Sequence, residues 1–142
     1  MPTLKINRDK TIAVFDIKEE IIKPLNQGYL REAVARLDGL IDKVIEAKIN
    51  QKLKCKEARL LIKLVRESRG SGLMPIIAYK LHIISKADKE RIEKFKSFRN
   101  TILHNALGEI ELGAKRNVKD INEYIRQEVK RGIELLKRIA NK

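Results

Sequence analysis

Apolar residues recur at the period of an α-helix over most of this 142-residue chain. The clearest stretch runs from about 29 to 50, where they fall on one side of a helix with ~100° per residue. Its members are Leu30, Ala33, Val34, Leu37, Leu40, Ile41, Val44 and Ile45. Only three prolines and seven glycines interrupt such elements. The sequence therefore predicts an all-α fold, an antiparallel bundle of about five to six helices in one domain over 1–142.

Capping and turn residues indicate where these helices begin and end. The capping pairs are Asp16 with Glu19, Ser85 with Asp88, and Asn117 with Asp120. The predicted helices cover about 16–26, 29–50, 53–68, 74–84, 87–107 and 118–140. Residues 1–15 differ, because two short apolar runs flank a polar stretch at 7–10. They predict a short hairpin or an extended arm ahead of the bundle at 16–142.

The charge of the chain is strongly unbalanced. It carries 32 lysines and arginines against 19 aspartates and glutamates, a formal net charge of +13. This excess favours an anionic partner, most often nucleic acid. Cys55 is the one cysteine, which excludes an intramolecular disulfide and a zinc cluster of cysteines. Without a signal-peptide core or an apolar run of membrane-spanning length, we expect a soluble cytoplasmic protein that has no membrane contact.

A permanent charge lies inside the apolar stripe of the fifth predicted helix. The stripe comprises Ile92, Phe95, Phe98, Ile102, Leu103 and Ala106. Arg99 falls within ~100° of every member, and a buried charge without a partner is rare. Two alternatives follow. Arg99 reaches solvent or pairs with a glutamate such as Glu93 or Glu123, or it lies at an interface with a second chain.

Asn100 and His104 lie four residues apart and therefore share the flank of the helix next to Arg99. Beside RNA, whose 2′-hydroxyl is a built-in nucleophile, these side chains suit phosphodiester cleavage without a metal or other cofactor. His104 would transfer protons, Arg99 would bind the phosphate, and Asn100 would orient the reactants. Acid–base cleavage works best with two proton-transfer groups, and a two-fold homodimer would supply a second His104.

Residues 99–104, Arg-Asn-Thr-Ile-Leu-His, are similar to the Arg-Asn-x-x-x-His signature of the HEPN ribonucleases, in the general form R-x(4–6)-H. The predicted bundle, with this motif in its penultimate long helix, also resembles the HEPN fold. The resemblance implies a metal-independent endoribonuclease, a homodimer with a composite site, and products with a 2′,3′-cyclic phosphate. It further implies a toxin–antitoxin, CRISPR-associated or other defence role, with an antitoxin or nucleotidyltransferase as partner. Ala106 departs from the toxin branch paired with a minimal nucleotidyltransferase, which commonly has tyrosine there.

Basic residues outside the motif are the candidate RNA contacts. The third predicted helix is basic on one side, and Arg66 and Arg69 at its end are joined by Lys96 of the motif helix. Two other functions stay open: a non-catalytic helical nucleic-acid-binding module and a scaffold subunit. Binding of intact RNA or DNA with a steep salt dependence would favour the first. Co-purification with an acidic protein would favour the second.

Overall fold

The structure is a computed structural model that describes residues 3–8, 11–67, 70–104 and 121–141. It does not describe the side chains of residues 3–8, 11–15, 66, 70, 71 and 104. Most of the described residues are helical and share one apolar core. The predicted all-α helical bundle is therefore confirmed.

The helices follow one another along the chain with short connections. In order they are a π-helical turn (Lys18–Ile22) continuous with α1 (Lys23–Asn26), then α2 (Leu30–Lys52), α3 (Lys56–Glu67), α4 (Met74–Lys80), α5 (Lys86–His104) and α6 (Ile121–Ala140). A 3₁₀ turn, Gly70–Leu73, leads into α4. The predicted end of the motif helix at 107 and the predicted start of the last helix at 118, with its capping pair at 117 and 120, lie outside the described residues.

Residues ahead of the bundle form a β-hairpin. Strand β1 (Thr3–Arg8) pairs antiparallel with β2 (Thr11–Asp16), with Thr3 opposite Asp16. A lone two-stranded hairpin is marginally stable in water, and β1 lies against α2 and α6. The sequence left a hairpin and an extended arm open, and the structure has the hairpin.

Helix α4 ends at Lys80, earlier than the predicted 84. His82 adopts a left-handed backbone conformation with a φ of 60°. Its N–H donates to the carbonyl of Tyr79, and the N–H of Ile83 donates to that of Ala78, which closes the helix. Glycine normally occupies such a position, so the sequence carried no signal for this early end.

Helix α2 is the centre of the bundle, because α4, α5, α6 and strand β1 all lie against it. Its predicted stripe is buried except for the partly buried Leu30. At the crossing with α6, a Cβ on Gly132 would lie 2.5 Å from Cδ2 of Leu37 and 3.0 Å from Cε2 of Phe95. Glycine at 132 therefore lets α6 approach both α2 and α5 closely.

The start of α5 is fixed by its predicted capping pair. The backbone N–H of Asp88 donates to Oγ of Ser85 over 3.1 Å. The carboxylate of Asp88 is buried and lies 3.3 Å from Arg91 and 3.2 Å from Arg138 of α6. These contacts hold the first turn of the motif helix against α6.

The predicted capping residue Asp16 also acts as expected. Its Oδ1 accepts from the N–H groups of Lys18 and Glu19 over 3.0 and 3.4 Å. No helix in the described ranges is long and apolar enough to cross a bilayer.

Candidate functional site

Arg99 lies at the contact between α5 and α2. On either side of it along α5, Phe95, Phe98 and Ile102 are buried, as their stripe predicted. The Nε of Arg99 is 3.2 Å from Oδ2 of Asp38, and the side chain of Arg99 is 33% exposed. The base of the guanidinium therefore points into the bundle, while part of the side chain reaches solvent.

Asp38 is the buried carboxylate that faces this arginine. It belongs to α2, is 4% exposed, and also accepts a hydrogen bond from Nζ of Lys96 over 3.1 Å. The same Nζ donates to Oδ1 of Asp42, one turn further along α2, over 2.6 Å. Two carboxylates of α2 and two cations of α5 thus form one network whose formal charges cancel.

The contact of Arg99 with Asp38 is an ion pair without an aligned hydrogen bond. Nε is buried and has no hydrogen-bond partner, although the carboxylate oxygen lies within ion-pair distance. Nη1 of the same group donates to Oδ1 of Asn100 over 2.7 Å. Asn100 is exposed, so the amide holds the outer part of the guanidinium at the surface.

Burial at this contact raises the pKa of the Asp42 carboxyl above its ordinary value of 3.8. The hydrogen bond and the positive charge of Lys96 oppose the shift, and the neighbouring Asp38 adds to it. The site is therefore partly shielded from water, which strengthens its charge–charge interactions.

The partner of Arg99 is not the one that the sequence suggested. Glu93 pairs with Lys89 over 3.1 Å, and Glu123 accepts from Gln127 over 2.8 Å. Asp38 of α2 pairs with Arg99 instead. The structure therefore has an intramolecular ion pair, which is one of the expected alternatives. Its acidic partner is an aspartate of α2 and not one of the glutamates that the sequence suggested.

Lys96, a predicted RNA contact, belongs to the same polar network as Arg99. Its side chain is 15% exposed, and its ammonium lies between Asp38 and Asp42. It is held by the two aspartates on α2, and its contact with RNA stays a prediction. Of the other candidate contacts, Arg69 lies outside the described residues, and the side chain of Arg66 is not described.

His104 is the last described residue of α5. Its backbone continues the helix from Arg99 and Asn100, while its side chain lies outside the description. The structure thus brings Arg99 and Asn100 into contact and places His104 one helical turn beyond Asn100 on the same helix.

Sequence reasoning missed Asp38, although the chain held a signal for it. On the helix projection Asp38 lies within ~60° of Val34, Ile41 and Ile45, inside the apolar stripe of α2. Asp38 is thus a charged residue inside an apolar stripe, as Arg99 is, but its charge is negative. Two opposite charges misplaced in two apolar stripes predict a pair between the helices.

In the described part of the chain, no group of three or more His, Cys, Asp or Glu side chains is arranged to hold a metal ion. Comparison with protein-family models, with curated proteins and with solved structures gives no match.

Proposed function

We propose that this chain is a HEPN-type, metal-independent endoribonuclease that cleaves RNA at a site shared by two copies of the chain, in a toxin or other defence system. The observation that carries the proposal is the placement of Arg99. Its guanidinium contacts the buried Asp38 on one side and donates to Asn100 at the surface, and the side chain of Arg99 remains partly exposed. An anchored and accessible arginine fork is suited to a phosphate.

The proposed reaction is an intramolecular displacement at phosphorus. The 2′-oxygen of a ribose forms a bond to the adjacent phosphorus, and the bond from phosphorus to the 5′-oxygen breaks. One histidine takes the proton of the 2′-hydroxyl and a second donates a proton to the leaving 5′-oxygen. Arg99 would stabilise the charge that develops on the non-bridging oxygens. The products are a 2′,3′-cyclic phosphate and a 5′-hydroxyl.

The need for two proton-transfer groups supports the dimer. Each chain offers His104 in the motif, while His82 lies in the turn after α4. A two-fold axis near the end of α5 would bring the partner subunit's His104 to the same phosphate. The ion pair with Asp38 already accounts for the charge of Arg99 in the apolar stripe, so that charge gives no argument for a dimer. The dimer is proposed because the reaction needs two proton-transfer groups.

The second candidate is a non-catalytic nucleic-acid-binding or scaffold subunit. The ion pair is equally compatible with it, because a structural arginine would pair in the same way with a buried carboxylate. The net charge of +13 suits nucleic-acid binding in either case. The two candidates differ in whether bound RNA is cut.

The deciding assay incubates end-labelled single-stranded and structured RNAs with the protein in excess EDTA. We expect cleavage that leaves 2′,3′-cyclic phosphate ends and falls by about 10²–10⁴-fold in His104→Ala. Arg99→Lys keeps a cation beside Asp38 but removes the planar fork, and we expect about a 10²-fold loss. His82→Ala is the matched histidine control and should cleave as the wild type does.

Thermal unfolding of each variant separates lost chemistry from lost folding. RNA that is bound and left intact by the wild type would favour the binding module. Full activity in folded His104→Ala would exclude the proposed mechanism.

A further inference from the structure

Lys96 divides its hydrogen bonds between two carboxylates of α2. Its Nζ donates to Oδ1 of Asp42 over 2.6 Å and to Oδ1 of Asp38 over 3.1 Å. The positive charge of Lys96 therefore lies closer to Asp42, the outer of the two aspartates, than to the buried Asp38.

Asp38 in turn divides its two oxygens between two cations of α5. Its Oδ1 accepts from Lys96, and its Oδ2 lies 3.2 Å from Nε of Arg99. Lys96 and Arg99 thus share the negative charge of one buried carboxylate. Whichever cation draws closer to Asp38 leaves the other less strongly neutralised.

Four charges of alternating sign therefore follow one another, from Asp42 through Lys96 and Asp38 to Arg99. Burial raises the pKa of the Asp42 carboxyl, and the positive charge of Arg99 is one of the influences that oppose this rise. The charge of Arg99 is thus felt at the far end of the row. Because the coupling between two charges is mutual, the charge of Asp42 acts on Arg99 as well.

The contact that holds Arg99 is sensitive to such coupling. In the described part of the chain, Nε of Arg99 is buried and has no hydrogen-bond partner, so its link to Asp38 is an interaction of charges. The strength of that link changes when a neighbouring charge is lost. A guanidinium that is less strongly neutralised inside the protein binds a phosphate more strongly.

We propose that Asp42 and Lys96 are positioning residues for Arg99, which set through Asp38 how strongly the guanidinium is held and how strongly it binds a phosphodiester. The second effect rests on the proposed function of Arg99, whereas the first does not. Without the charge of Asp42, Lys96 moves closer to Asp38, so that Arg99 is held less firmly and binds phosphate better. Without the charge of Lys96, Asp38 is left to Arg99 alone, which is held more firmly and binds phosphate less well.

Hydrogen exchange at Nε of Arg99 measures the hold on the guanidinium directly. The Nε–H resonance is followed by ¹H–¹⁵N NMR in the full chain and is assigned by its loss in Arg99→Gln. We expect exchange that is about three- to tenfold faster in Asp42→Asn and slower by about the same factor in Lys96→Gln. Two residues with a purely structural role would both loosen the contact. Faster exchange in both variants, or any pattern other than the two opposite changes, would overturn the proposal.

Glu93→Gln is the matched control for the loss of one negative charge. Glu93 precedes Lys96 by three residues on α5 and pairs with Lys89 over 3.1 Å, outside the row of four charges. Exchange at Arg99 should stay at the wild-type rate in this variant. The same NMR spectra show whether each variant is folded, and Lys96→Met replaces Lys96→Gln if the amide variant does not fold.

RNA affinity measures the effect on phosphate binding. The probe is a fluorescent 2′-O-methyl RNA, which lacks the nucleophile and stays intact. Affinity should rise about three- to tenfold in Asp42→Asn and fall by about the same factor in Lys96→Gln. Both changes should vanish when Arg99→Gln is added, whereas an effect of net charge, or of a direct contact between Lys96 and RNA, would persist. Persistence in the Arg99→Gln background would overturn the effect on phosphate binding.

The two measurements also distinguish this inference from the proposed function. If Arg99→Gln alone leaves RNA affinity unchanged, Arg99 does not bind the phosphate and the proposed function is wrong. The opposite changes in hydrogen exchange would then still show that Asp42 and Lys96 position Arg99. If Arg99→Gln weakens RNA binding while exchange at Nε is the same in Asp42→Asn and Lys96→Gln as in wild type, the proposed function stands and the positioning role is excluded.

Discussion

At the scale of single residues, Asp38 is the group on which the polar network depends. It faces both Lys96 and Arg99, and it is the more deeply buried member of each pair. Asp38→Asn removes the negative charge while keeping the shape, and it leaves Nε of Arg99 beside a neutral amide. We expect the free energy of unfolding to fall by about 1.5–3 kcal/mol, measured by urea denaturation.

Glu32 provides the control on the same helix. Its pair with Arg36 spans 2.7 Å but is about half exposed on both sides. Glu32→Gln should change the free energy of unfolding by less than about 0.5 kcal/mol. Equal effects of the two substitutions would show that burial does not distinguish these ion pairs.

Asp42 should lower the free energy of unfolding as pH rises, whereas a carboxylate with a lowered pKa does the opposite. Its folded-state pKa is raised by burial above the ordinary 3.8, so the folded state holds the proton more tightly than the unfolded state. Its contribution to stability is fully present below the unfolded pKa and is lost as pH rises through the folded pKa. Asp42→Asn does not titrate, so stability of the variant relative to wild type should increase with pH just above 3.8.

Urea denaturation of both proteins at a series of pH values between about 3.5 and 7 measures this difference. A difference that stays constant, or that falls as pH rises, would show that the folded-state pKa of Asp42 is not raised.

The sequence predicted the arginine half of the site and not its acidic half. Arg99 is conspicuous because Phe95, Phe98 and Ile102 surround it on one helix. Asp38 is conspicuous only when the stripe of α2 is examined for charges as well as for apolar residues. The pairing itself requires knowledge of which helix faces which, and that depends on tertiary packing beyond helical periodicity.

At the scale of elements, the first turn of α5 helps to position the site, because Arg99 and Asn100 lie further along the same helix. Oγ of Ser85 accepts the N–H of Asp88, a group that has no partner within the helix. Ser85→Ala should lower the free energy of unfolding by about 1 kcal/mol, again measured in urea. Ser85→Asp keeps an acceptor oxygen and should be close to wild type; a loss as large as that of alanine would argue against the cap.

Helical periodicity predicted the long elements well and their surroundings less well. Helices α2 and α6 follow their stripes closely because the core buries those stripes. Helix α3 has an equally clear pattern, and its leucines are nonetheless exposed. An amphipathic pattern identifies a helix and its apolar face, but it does not identify what covers that face.

At the scale of the whole molecule, the proposed shared site makes activity depend on both copies. If each site needs His104 from two chains, a mixed dimer of wild type and His104→Ala has no complete site. After equal amounts are mixed and exchanged, about a quarter of the dimers should be fully wild type. RNA cleavage should therefore fall to about a quarter of the unmixed wild-type rate at the same total protein concentration.

A rate near one half would instead indicate that each chain acts alone. Light scattering on the same samples should give a mass of about twice 16.4 kDa. A monomer at assay concentration would contradict the shared site whatever the cleavage rate.

Gly132 lies beside buried side chains that are next in sequence to the charged residues of the α2–α5 contact. The two side chains that fill the space beside it, Leu37 and Phe95, directly precede Asp38 and Lys96 in the chain. A methyl group at 132 would displace these two side chains at the level where the charges of α2 and α5 meet. We therefore expect Gly132→Ala to disturb the contact of Arg99 with Asp38 from a buried position on α6, without changing a polar residue. Gly132→Ala should thus unfold at a lower temperature than the wild type, although every residue on the surface of the protein stays the same.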